Sequence, residues 1–511
     1  MINSIGVDNF RSLCNIDDIE IKPMTVLLGK NSCGKSSLLR IFPMLKQSIS
    51  RKTRGTIALF GELVDLGEFE TVKNDSDNNK DYICLKFIGN INQNLNQRSY
   101  RMRRLNKVNI ENYELEIKIK KYVEEDYLYI SDLLIKYDDN LVKLALDVKT
   151  NTLMTFDINN ISFLGKIDNL RLGYYIFSNI LPEFGIEYDK ETLIGNPETE
   201  ILNRIFTNKF NDIFTEFQIV RIVRELEYDN KDNLVNTIAT VLELNKNDQK
   251  LELFAKRLED PNLNQKIVDA LEFKNFMNIY EILEDELLNT FSNICYSKPL
   301  RANTERFYRN QSLTVNEVEP DGSNLVQFYS TMSRNQKNNF HQWMDTNFEF
   351  HYEIEKQIGF QSIVIVDSQT KEKHNINDMG FGFTQILPIV TQEWSLINNP
   401  RRTIRNTETI FAIEQPELHL HPAFQCKLIK AFSNSIKIAS DRNLSIRFII
   451  ETHSETIVNY LGKLIERNEL NNDDVSVLIF TKEKNISKIS KSIYDKNGIL
   501  NNWPIGFFGE E

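Results

Sequence analysis

The sequence predicts an α/β fold in which a mixed sheet carries an antiparallel β subdomain and an inserted helical domain. Three observations predict this fold. A buried strand, a glycine-rich loop and a helix follow one another within residues 24–42. Apolar and polar residues alternate over much of residues 80–175. After residue 176 the apolar residues recur at i, i+3 and i+4, and buried-strand patterns return only after residue 295.

These patterns divide the chain into four segments. The helical segment is expected to be compact, because no heptad persists for the three or four repeats that a long coiled coil requires. The predicted segments are an N-terminal part of the sheet domain at 1–100, an antiparallel β extension at 101–175, a helical insertion at 176–295 and a C-terminal part of the sheet domain at 296–511.

Length, charge and cysteine content limit the classes of function. With 511 residues the chain exceeds the usual single core, so two or more lobes are expected. A formal net charge of −11 provides no global positive field, so any contact with DNA must be a local patch. The five cysteines show no C-x-x-C spacing, which argues against a disulfide framework and a zinc site. The chain shows neither a signal-peptide pattern nor an apolar run of membrane-spanning length, which predicts a cytoplasmic protein without a membrane partner.

The strand, loop and helix near the N-terminus carry the strongest motif. Residues 29–36 fit G-x-x-x-x-G-K-[ST], the pattern of a phosphate-binding loop. In such a loop the glycines allow a tight turn, and backbone N–H groups at a helix N-terminus surround phosphate oxygens. Lys35 would hold the β and γ phosphates, and Ser36 would ligate Mg²⁺. The candidate phosphate-binding residues are Gly29, Lys30, Asn31, Ser32, Cys33, Gly34, Lys35, Ser36 and Ser37.

The most basic run of the chain lies within the predicted β meander and consists of Arg98, Arg101, Arg103, Arg104 and Lys107. Two interpretations remain open for it. The run forms a solvated hairpin, or it contacts the phosphate backbone of DNA.

The C-terminal part of the chain contains three further candidate site segments, namely one glycine-rich turn and two strand ends with polar residues. Gly380 and Gly382 precede a helix, a geometry that binds anions but also occurs where a turn only packs. The apolar run 409–413 is followed by Glu414. A carboxylate at the end of a buried strand could provide the oxygen ligand that a nucleotide-bound Mg²⁺ needs. The next strand, 446–450, is followed by His453, a candidate contact for a γ-phosphate.

In this order, the motifs resemble those of the ABC-type ATPase heads of the SMC, RecF and OLD group. The resemblance covers residues 1–100 and 295–511. It implies that Gly29–Ser37 is the Walker A loop, that Glu414 is the Walker B carboxylate and a metal ligand, and that His453 is the switch histidine. It also implies that residues 378–385 are the signature region, that residues 418–422 are the D-loop, and that Arg11 belongs to an N-terminal arginine motif that reaches the nucleotide.

The same resemblance implies ATP and Mg²⁺ as cofactors and a dimer or higher homo-oligomer. In such heads the signature region of one protomer completes the nucleotide site of the other. The resemblance implies this role for Gly380 and Gly382. The sequences of residues 299–302, 414–422 and 497–508 resemble those of a bacterial anti-phage subgroup that includes Septu-like ATPases, which implies a separate nuclease or toxin partner. Two alternatives remain: a DNA-repair or chromosome-type clamp, and a nucleotide-sensing scaffold that hydrolyses almost nothing.

The sequence departs from that family at the position expected to activate water. Most ABC heads have Asp-Glu at the strand end, whereas this chain has Glu414 followed by Gln415. A glutamine amide can orient a water molecule but cannot accept its proton, so slow hydrolysis is expected. The candidate catalytic residues are therefore Gln415, Glu417 and His453. The segment after His453 lacks the spacing of acidic residues that a Toprim nuclease domain needs. This favours a separate partner protein as the nuclease.

Overall fold

The computed structural model describes most of the chain. The described ranges are 2–50, 55–74, 80–91, 110–150, 152–166, 170–173, 180–188, 191–194, 197–245, 247–301, 305–309, 313–398 and 408–503. The basic run at 98–107 lies outside them, and its two interpretations stay predictions.

The chain forms two compact units. The core unit is discontinuous and comprises Met1–Arg51, Ala58–Phe87 and Asn289–Glu511, and the inserted unit comprises Lys52–Ile57 and Ile88–Leu288. The strands are β1 (Ile2–Asp8), β2 (Ile16–Glu20), β3 (Met24–Gly29), β4 (Ile83–Asn90), β5 (Asn112–Tyr122), β6 (Tyr127–Tyr137), β7 (Asn140–Asp147), β8 (Thr152–Ile158), β9 (Ile161–Ser162), β10 (Leu170–Gly173), β11 (Glu183–Tyr188), β12 (Glu191–Ile194), β13 (Ile294–Ser297), β14 (Tyr308–Arg309), β15 (Phe350–Gln357), β16 (Phe360–Asp367), β17 (Lys373–Asn375), β18 (Thr409–Glu414), β19 (Ile446–Glu451), β20 (Val475–Glu483), β21 (Ile486–Tyr494) and β22 (Leu500–Asn501).

Helices flank these strands along the chain. They are α1 (Lys35–Leu39), α2 (Ile41–Ser50), α3 (Phe69–Val72), α4 (Pro197–Phe210), α5 (Glu216–Glu225), α6 (Leu234–Leu242), α7 (Gln249–Leu258), α8 (Pro261–Ser292), α9 (Leu325–Thr331), α10 (Arg334–Phe348), α11 (Phe381–Asn398), α12 (Pro422–Asp441) and α13 (Glu455–Glu466). Short 3-10 helices occupy Tyr228–Asn233, Ile376–Asp378 and Asn472–Asp474.

The main sheet of the core unit has seven strands in the order β13-β18-β19-β3-β20-β21-β22. The first five run parallel, and β21 and β22 continue the sheet in antiparallel pairing. Every residue of β3, β18 and β19 is buried. Their central residues are mostly apolar on both faces rather than alternating, as expected for parallel strands covered on both faces. Arg447 of β19 is an exception, and its buried guanidinium is paired with Glu408 at 2.7 Å.

The strand order decides which strand ends become neighbours. Strand β19 lies directly between β18 and β3, with Glu451 paired to Glu414 on one side and to Leu27 on the other. The carboxyl ends of these parallel strands therefore share one edge of the sheet with the loop that follows β3. Sequence distance alone does not reveal this, because β3 and β19 are separated by more than 400 residues.

Two further sheets and a helical layer complete the core unit. Strand β1 lies between β2 and β4, and the small antiparallel sheet has the order β14-β16-β15 with β17 paired to β16. A large apolar cluster joins the helices to the main sheet, with Trp394 of α11 against Phe340 and with Phe432 of α12 stacked on Phe448 of β19.

The inserted unit contains the antiparallel meander β5-β6-β7-β8-β9, the small sheet β10-β11-β12, helices α4 to α7 and most of α8. The prediction that helical structure begins at about 176 is wrong in detail. Strands β11 and β12 occupy residues 183–194, and the first helix begins at Pro197. Strands of six and four residues are too short for their alternation to stand out from the helical pattern that follows.

Helices α4 to α7 have nine to fourteen residues each and share one apolar cluster built around Phe206, Phe210 and Phe254. Helix α8 is longer, with 32 residues. In the part of the chain that the structure describes, every helix is too short or too polar to cross a lipid bilayer.

Candidate nucleotide-binding site

A cavity of about 400 Å³ lies at the carboxyl edge of the main sheet, entirely within the core unit. It collects many of the residues that the sequence singles out. Its lining residues are Arg11, Ser12, Asn31, Ser32, Cys33, Gly34, Lys35, Ser36, Ser37, Gln415, Glu451, His453 and Lys482. The cavity thus brings the phosphate-loop pattern together with the ends of two strands that are remote in sequence.

The loop has the tight backbone that its glycines predict. Gly34 precedes α1 at φ 99°, and a side chain there would collide with the hydroxyl of Ser487. The Ser487 hydroxyl donates to the Cys33 carbonyl at 2.6 Å, and the Ser487 N–H donates to the Ser12 carbonyl at 2.7 Å. Ser487 of β21 therefore fixes the backbone of the phosphate-binding loop by a hydrogen bond to Cys33. At the start of the loop, a Cβ on Gly29 would lie 2.6 Å from the Phe480 carbonyl oxygen.

Lys35 is held over the loop by the loop's own carbonyl groups. Its buried Nζ donates to the carbonyl oxygens of Gly29 at 2.9 Å and Lys30 at 2.8 Å, and it lies 3.9 Å from Glu451 Oε1. Burial lowers the pKa of Lys35, while the nearby Glu451 acts in the opposite direction. The ammonium group is therefore desolvated beside the loop, where phosphate oxygens would be strong acceptors.

The predicted Walker B carboxylate, Glu414, is enclosed by hydrogen-bond donors. Arg40 binds it in a bidentate manner, with Nε 2.7 Å from Oε1 and Nη2 2.8 Å from Oε2. The Tyr296 hydroxyl donates to the same Oε1 at 2.6 Å. Arg40 occupies the single residue between α1 and α2, so the two helices are separated where this contact forms. The hydrogen bond to Glu414 raises the pKa of Arg40.

The neighbouring strand end has a different environment. Glu451 Oε1 accepts a hydrogen bond from Ser36 Oγ at 2.8 Å. Its Oε2 is buried and, among the described residues, has no hydrogen-bond partner. Burial raises the pKa of Glu451 to about 6, the nearby Glu414 adds to this, and the Ser36 hydrogen bond opposes it. Glu451 is not among the site residues predicted from the sequence, although it shares with Glu414 the position at the end of a buried strand.

The donor set beside Ser36 suits Mg²⁺. Magnesium prefers hard oxygen ligands and is commonly bound through one or two carboxylates together with substrate phosphates. Ser36 Oγ and the carboxylate of Glu451 meet at 2.8 Å, and one buried oxygen of Glu451 remains unsatisfied. These residues fit the cation that the loop motif implies, and a bound Mg²⁺ would supply positive charge beside the phosphates.

The three candidate catalytic residues lie around these carboxylates. Gln415 lines the cavity, at φ 43°, and its N–H donates to the Glu451 carbonyl at 2.8 Å. His453 also lines the cavity, and its backbone N–H donates to Glu417 Oε1 at 2.7 Å. Burial and the nearby Lys35 lower the pKa of His453, which favours the neutral form of its ring. Glu417 is absent from the described lining of the cavity, and burial raises its pKa.

Two arginines support the site. Arg11 lines the cavity, and its Nη2 donates to the Leu66 carbonyl at 3.0 Å. Arg301 is buried and was not predicted as a site residue. Its Nη2 donates to the backbone carbonyl of Glu414 at 3.0 Å, and its Nε donates to Ser297 Oγ at 3.2 Å. Burial lowers the pKa of Arg301 to about 10.

The two glycines of the predicted signature region lie elsewhere in the core unit. Gly380 and Gly382 line a second cavity, of about 180 Å³, together with residues near His419 and Phe424. A Cβ on Gly382 would lie 2.9 Å from the His419 carbonyl oxygen, whereas a Cβ on Gly380 would meet no described atom within 4 Å. Within one chain, the structure does not bring these glycines into the cavity that contains Lys35 and Ser36.

Comparison with known proteins identifies the family of the chain. A family model described as an AAA ATPase domain matches residues 1–458, and a second, described as a protein of unknown function, matches residues 470–511. A curated relative, Endonuclease GajA of Bacillus cereus (strain HuB5-5), is 23% identical over 274 residues. That alignment covers 50% of this chain and 39% of the relative, so the matched region spans well under half of the relative's length.

Two solved structures are similar over most of their length. One is an SMC head bound to the C-winged helix domain of ScpA, with 10% identity, a TM-score of 0.36, and coverage of 96% of this chain and 97% of that one. The other is the SMC head domain from Thermotoga maritima, with 8% identity, a TM-score of 0.35, and coverage of 96% and 98%. The family match alone spans most of the sequence, and the chain therefore belongs to the AAA ATPase domain family and is an ATPase.

Proposed function

We propose that this ATPase binds ATP and Mg²⁺ in the cavity around Lys35 and that bound ATP holds two copies of the chain together. The observation that supports this is the separation of the two glycine-rich turns. Lys35 and Ser36 line one cavity of the core unit, and Gly380 and Gly382 line another. A site that needs both turns must be completed by a second copy, which makes association dependent on ATP and favours a symmetric dimer or an assembly of such dimers.

Within each site the described residues have separate tasks. Lys35 exchanges its two carbonyl partners for phosphate oxygens. The neutral ring of His453 donates a hydrogen bond to the terminal phosphate. Gln415 orients the attacking water but accepts no proton, and Glu417 is engaged with the His453 backbone. Hydrolysis is therefore slow, and the duration of the ATP-bound state is the main output.

We further propose that this switch acts in the cytoplasm as the ATPase component of a bacterial anti-phage system and controls a separate nuclease or toxin. The sequence resemblance to the anti-phage subgroup supports this, and so does the similarity to Endonuclease GajA over half of the chain. A nuclease or toxin that changes activity when the ATPase exchanges ATP for ADP would match the proposal. A partner that ignores the nucleotide state would contradict it.

Two variants test the split site. Lys35→Ala should weaken ATP binding by more than about tenfold, because a desolvated charge-assisted contact is lost, and it should abolish ATP-dependent dimerisation. Gly380→Glu places a carboxylate where a Cβ meets no described atom. This variant should bind ATP normally as a monomer but fail to dimerise, since its charge would face the phosphates of the second copy.

Nucleotide binding is measured with a fluorescent ATP analogue, and mass is measured by light scattering after size-exclusion chromatography, with and without ATP. Lys437→Ala is the matched control, because Lys437 is exposed on α12 and is not among the described residues that line either cavity. If Lys35→Ala dimerises with ATP as the wild type does, the proposed coupling between ATP binding and dimerisation is refuted. If Gly380→Glu dimerises with ATP as the wild type does, the proposed contribution of the second copy to the nucleotide site is refuted.

A further inference from the structure

We propose that Glu451, rather than Glu414, supplies the carboxylate for the Mg²⁺ that Ser36 binds with ATP. This inference deepens the proposed function and rests on the binding of ATP and Mg²⁺ in the cavity. It changes the identity of the metal ligand, because the family resemblance assigns that role to Glu414. Three independent features of the described residues support it.

The first feature is the strand order. Strand β19 is the direct neighbour of β3, whereas β18 is one strand further away. Adjacent strands are about 4.8 Å apart, so Glu451 starts one strand spacing from the loop strand and Glu414 starts two. The pairing of Glu414 with Glu451 shows that both residues lie at the same level along the sheet. The difference in distance from the loop is therefore lateral and is built into the topology.

The second feature is the set of hydrogen bonds around Glu414. Arg40 contacts both of its carboxylate oxygens at 2.7 and 2.8 Å, and the Tyr296 hydroxyl adds a third contact at 2.6 Å. Bidentate arginine–carboxylate pairs are among the strongest hydrogen bonds in proteins. A cation at Glu414 would have to displace these donors, and it would also be repelled by the guanidinium group of Arg40. Glu414 is thus committed to Arg40 and Tyr296.

The third feature is the unused capacity of Glu451. Its side chain is almost wholly buried, Oε1 accepts from Ser36 Oγ, and Oε2 has no hydrogen-bond partner among the described residues. Its nearest cationic group in an ion pair, Lys35 Nζ, is 3.9 Å away. A buried carboxylate oxygen without a partner is costly, and a hard cation would satisfy it. The Ser36 hydroxyl keeps acceptor lone pairs while it donates to Glu451, so both residues can serve one cation.

The test measures how much Mg²⁺ strengthens nucleotide binding. The dissociation constant of a fluorescent N-methylanthraniloyl ATP is determined for the full chain in excess Mg²⁺ and in EDTA, and the ratio of the two values is the metal effect. Glu451→Gln keeps the shape and an acceptor for Ser36 but removes the charge. We expect its metal effect to fall by about tenfold or more, since even residues that support a metal ligand indirectly contribute about this much. Its affinity in EDTA should be at least that of the wild type.

Glu414→Gln provides the decisive comparison, and Glu455→Gln is the matched control because Glu455 is exposed at the start of α13. We expect both to retain the wild-type metal effect, even if Glu414→Gln binds the analogue more weakly overall. Electron paramagnetic resonance of Mn²⁺ with ATP gives a second readout, in which the bound fraction should fall only for Glu451→Gln. Glu451→Asp, which retains the charge, should recover part of the metal effect and covers the case in which the amide variant does not fold.

The outcomes separate this inference from the proposed function. A wild-type metal effect in Glu451→Gln, with loss of the effect in Glu414→Gln, would overturn the inference and restore the family assignment. A wild type that binds the analogue equally well with and without Mg²⁺ would overturn the inference while leaving ATP binding intact. A wild type that binds no analogue in either condition would overturn the proposed function itself.

Discussion

Strands β18 and β19 are neighbours in the same sheet, and both end in a glutamate. The structure nevertheless gives the two carboxylates opposite environments. Glu414 receives hydrogen bonds from Arg40 and Tyr296, whereas Glu451 contacts Ser36 and keeps an oxygen without a partner among the described residues. The oxygens of Glu414 are occupied by their donors, whereas the free oxygen of Glu451 belongs to a residue that lines the nucleotide cavity and can accept a ligand there. The position at the end of a strand does not by itself distinguish these two roles.

The largest expected effect concerns the pairing of Glu414 with Arg40. Arg40→Met should lower the free energy of unfolding by about 3 kcal/mol, because it leaves Glu414 as a buried charge without its cation. The double variant Arg40→Met/Glu414→Gln should recover part of this loss, since no unpaired charge remains. Urea denaturation of the full chain measures both.

The matched control is Arg306→Met, which removes an arginine whose pair with Asp378 is about half exposed on both sides, at 55% and 51%. Exposed pairs contribute about 0–1 kcal/mol, so this variant should be close to the wild type. An Arg40→Met variant as stable as Arg306→Met would mean that Arg40 does not compensate the buried charge of Glu414.

The next effect concerns the residue that follows Glu414. Gln415→Glu introduces a carboxylate that can accept the proton of the attacking water. We expect the steady-state turnover of ATP to rise by about a hundredfold, the lower range of what general base catalysis contributes. A fast wild type whose turnover is unchanged by Gln415→Glu would contradict both the slow hydrolysis and the role of position 415.

The smallest expected effect concerns Glu393, a buried carboxylate that tests whether burial alone explains the behaviour of Glu451. Glu393 of α11 is fully buried, Ser435 Oγ donates to its Oε1 at 2.7 Å, and burial raises its pKa well above the ordinary value of 4.5. The folded state therefore binds more protons than the unfolded state, so this group lowers stability as the pH rises above about 4.5. Glu393→Gln, which stays neutral, should flatten that decline and add at least about 1 kcal/mol at high pH.

Denaturation of wild type and Glu393→Gln across a pH series measures this difference, which should vanish at low pH. Glu393→Gln should also keep the wild-type effect of Mg²⁺ on nucleotide binding, because Glu393 is not among the described residues that line the nucleotide cavity. If its metal effect fell as that of Glu451→Gln is expected to fall, burial rather than cation binding would explain the behaviour of Glu451.

Much of the site could be predicted because its signals are local. The phosphate-binding loop is contiguous, and its glycines, Lys35 and Ser36 follow from a pattern of eight residues between a strand and a helix. Gln415 and His453 were predicted from the ends of buried strands, and both line the cavity. The order of helices and strands was predicted less well where the elements are short, as in the strands between residues 183 and 194.

The partners of the strand-end carboxylates could not be predicted. Arg40 and Glu414 are 374 residues apart, and Ser36 and Glu451 are 415 residues apart. No local pattern states which glutamate meets the arginine and which meets the serine. No residue pattern in the sequence indicated that Gly380 and Gly382 lie outside the first cavity. Only the family resemblance predicted that these glycines act on a second copy.

The sequence by itself determined that this chain is an α/β protein with a phosphate-binding loop and polar groups at two strand ends. These properties depend on neighbouring residues, whose spacing sets the backbone geometry. Only the tertiary structure decided that β19 lies between β18 and the loop strand, and hence that Glu451 meets Ser36 while Glu414 is enclosed by Arg40 and Tyr296. Strand order arises from the packing of the whole sheet, and that packing assigns the two glutamates their different environments.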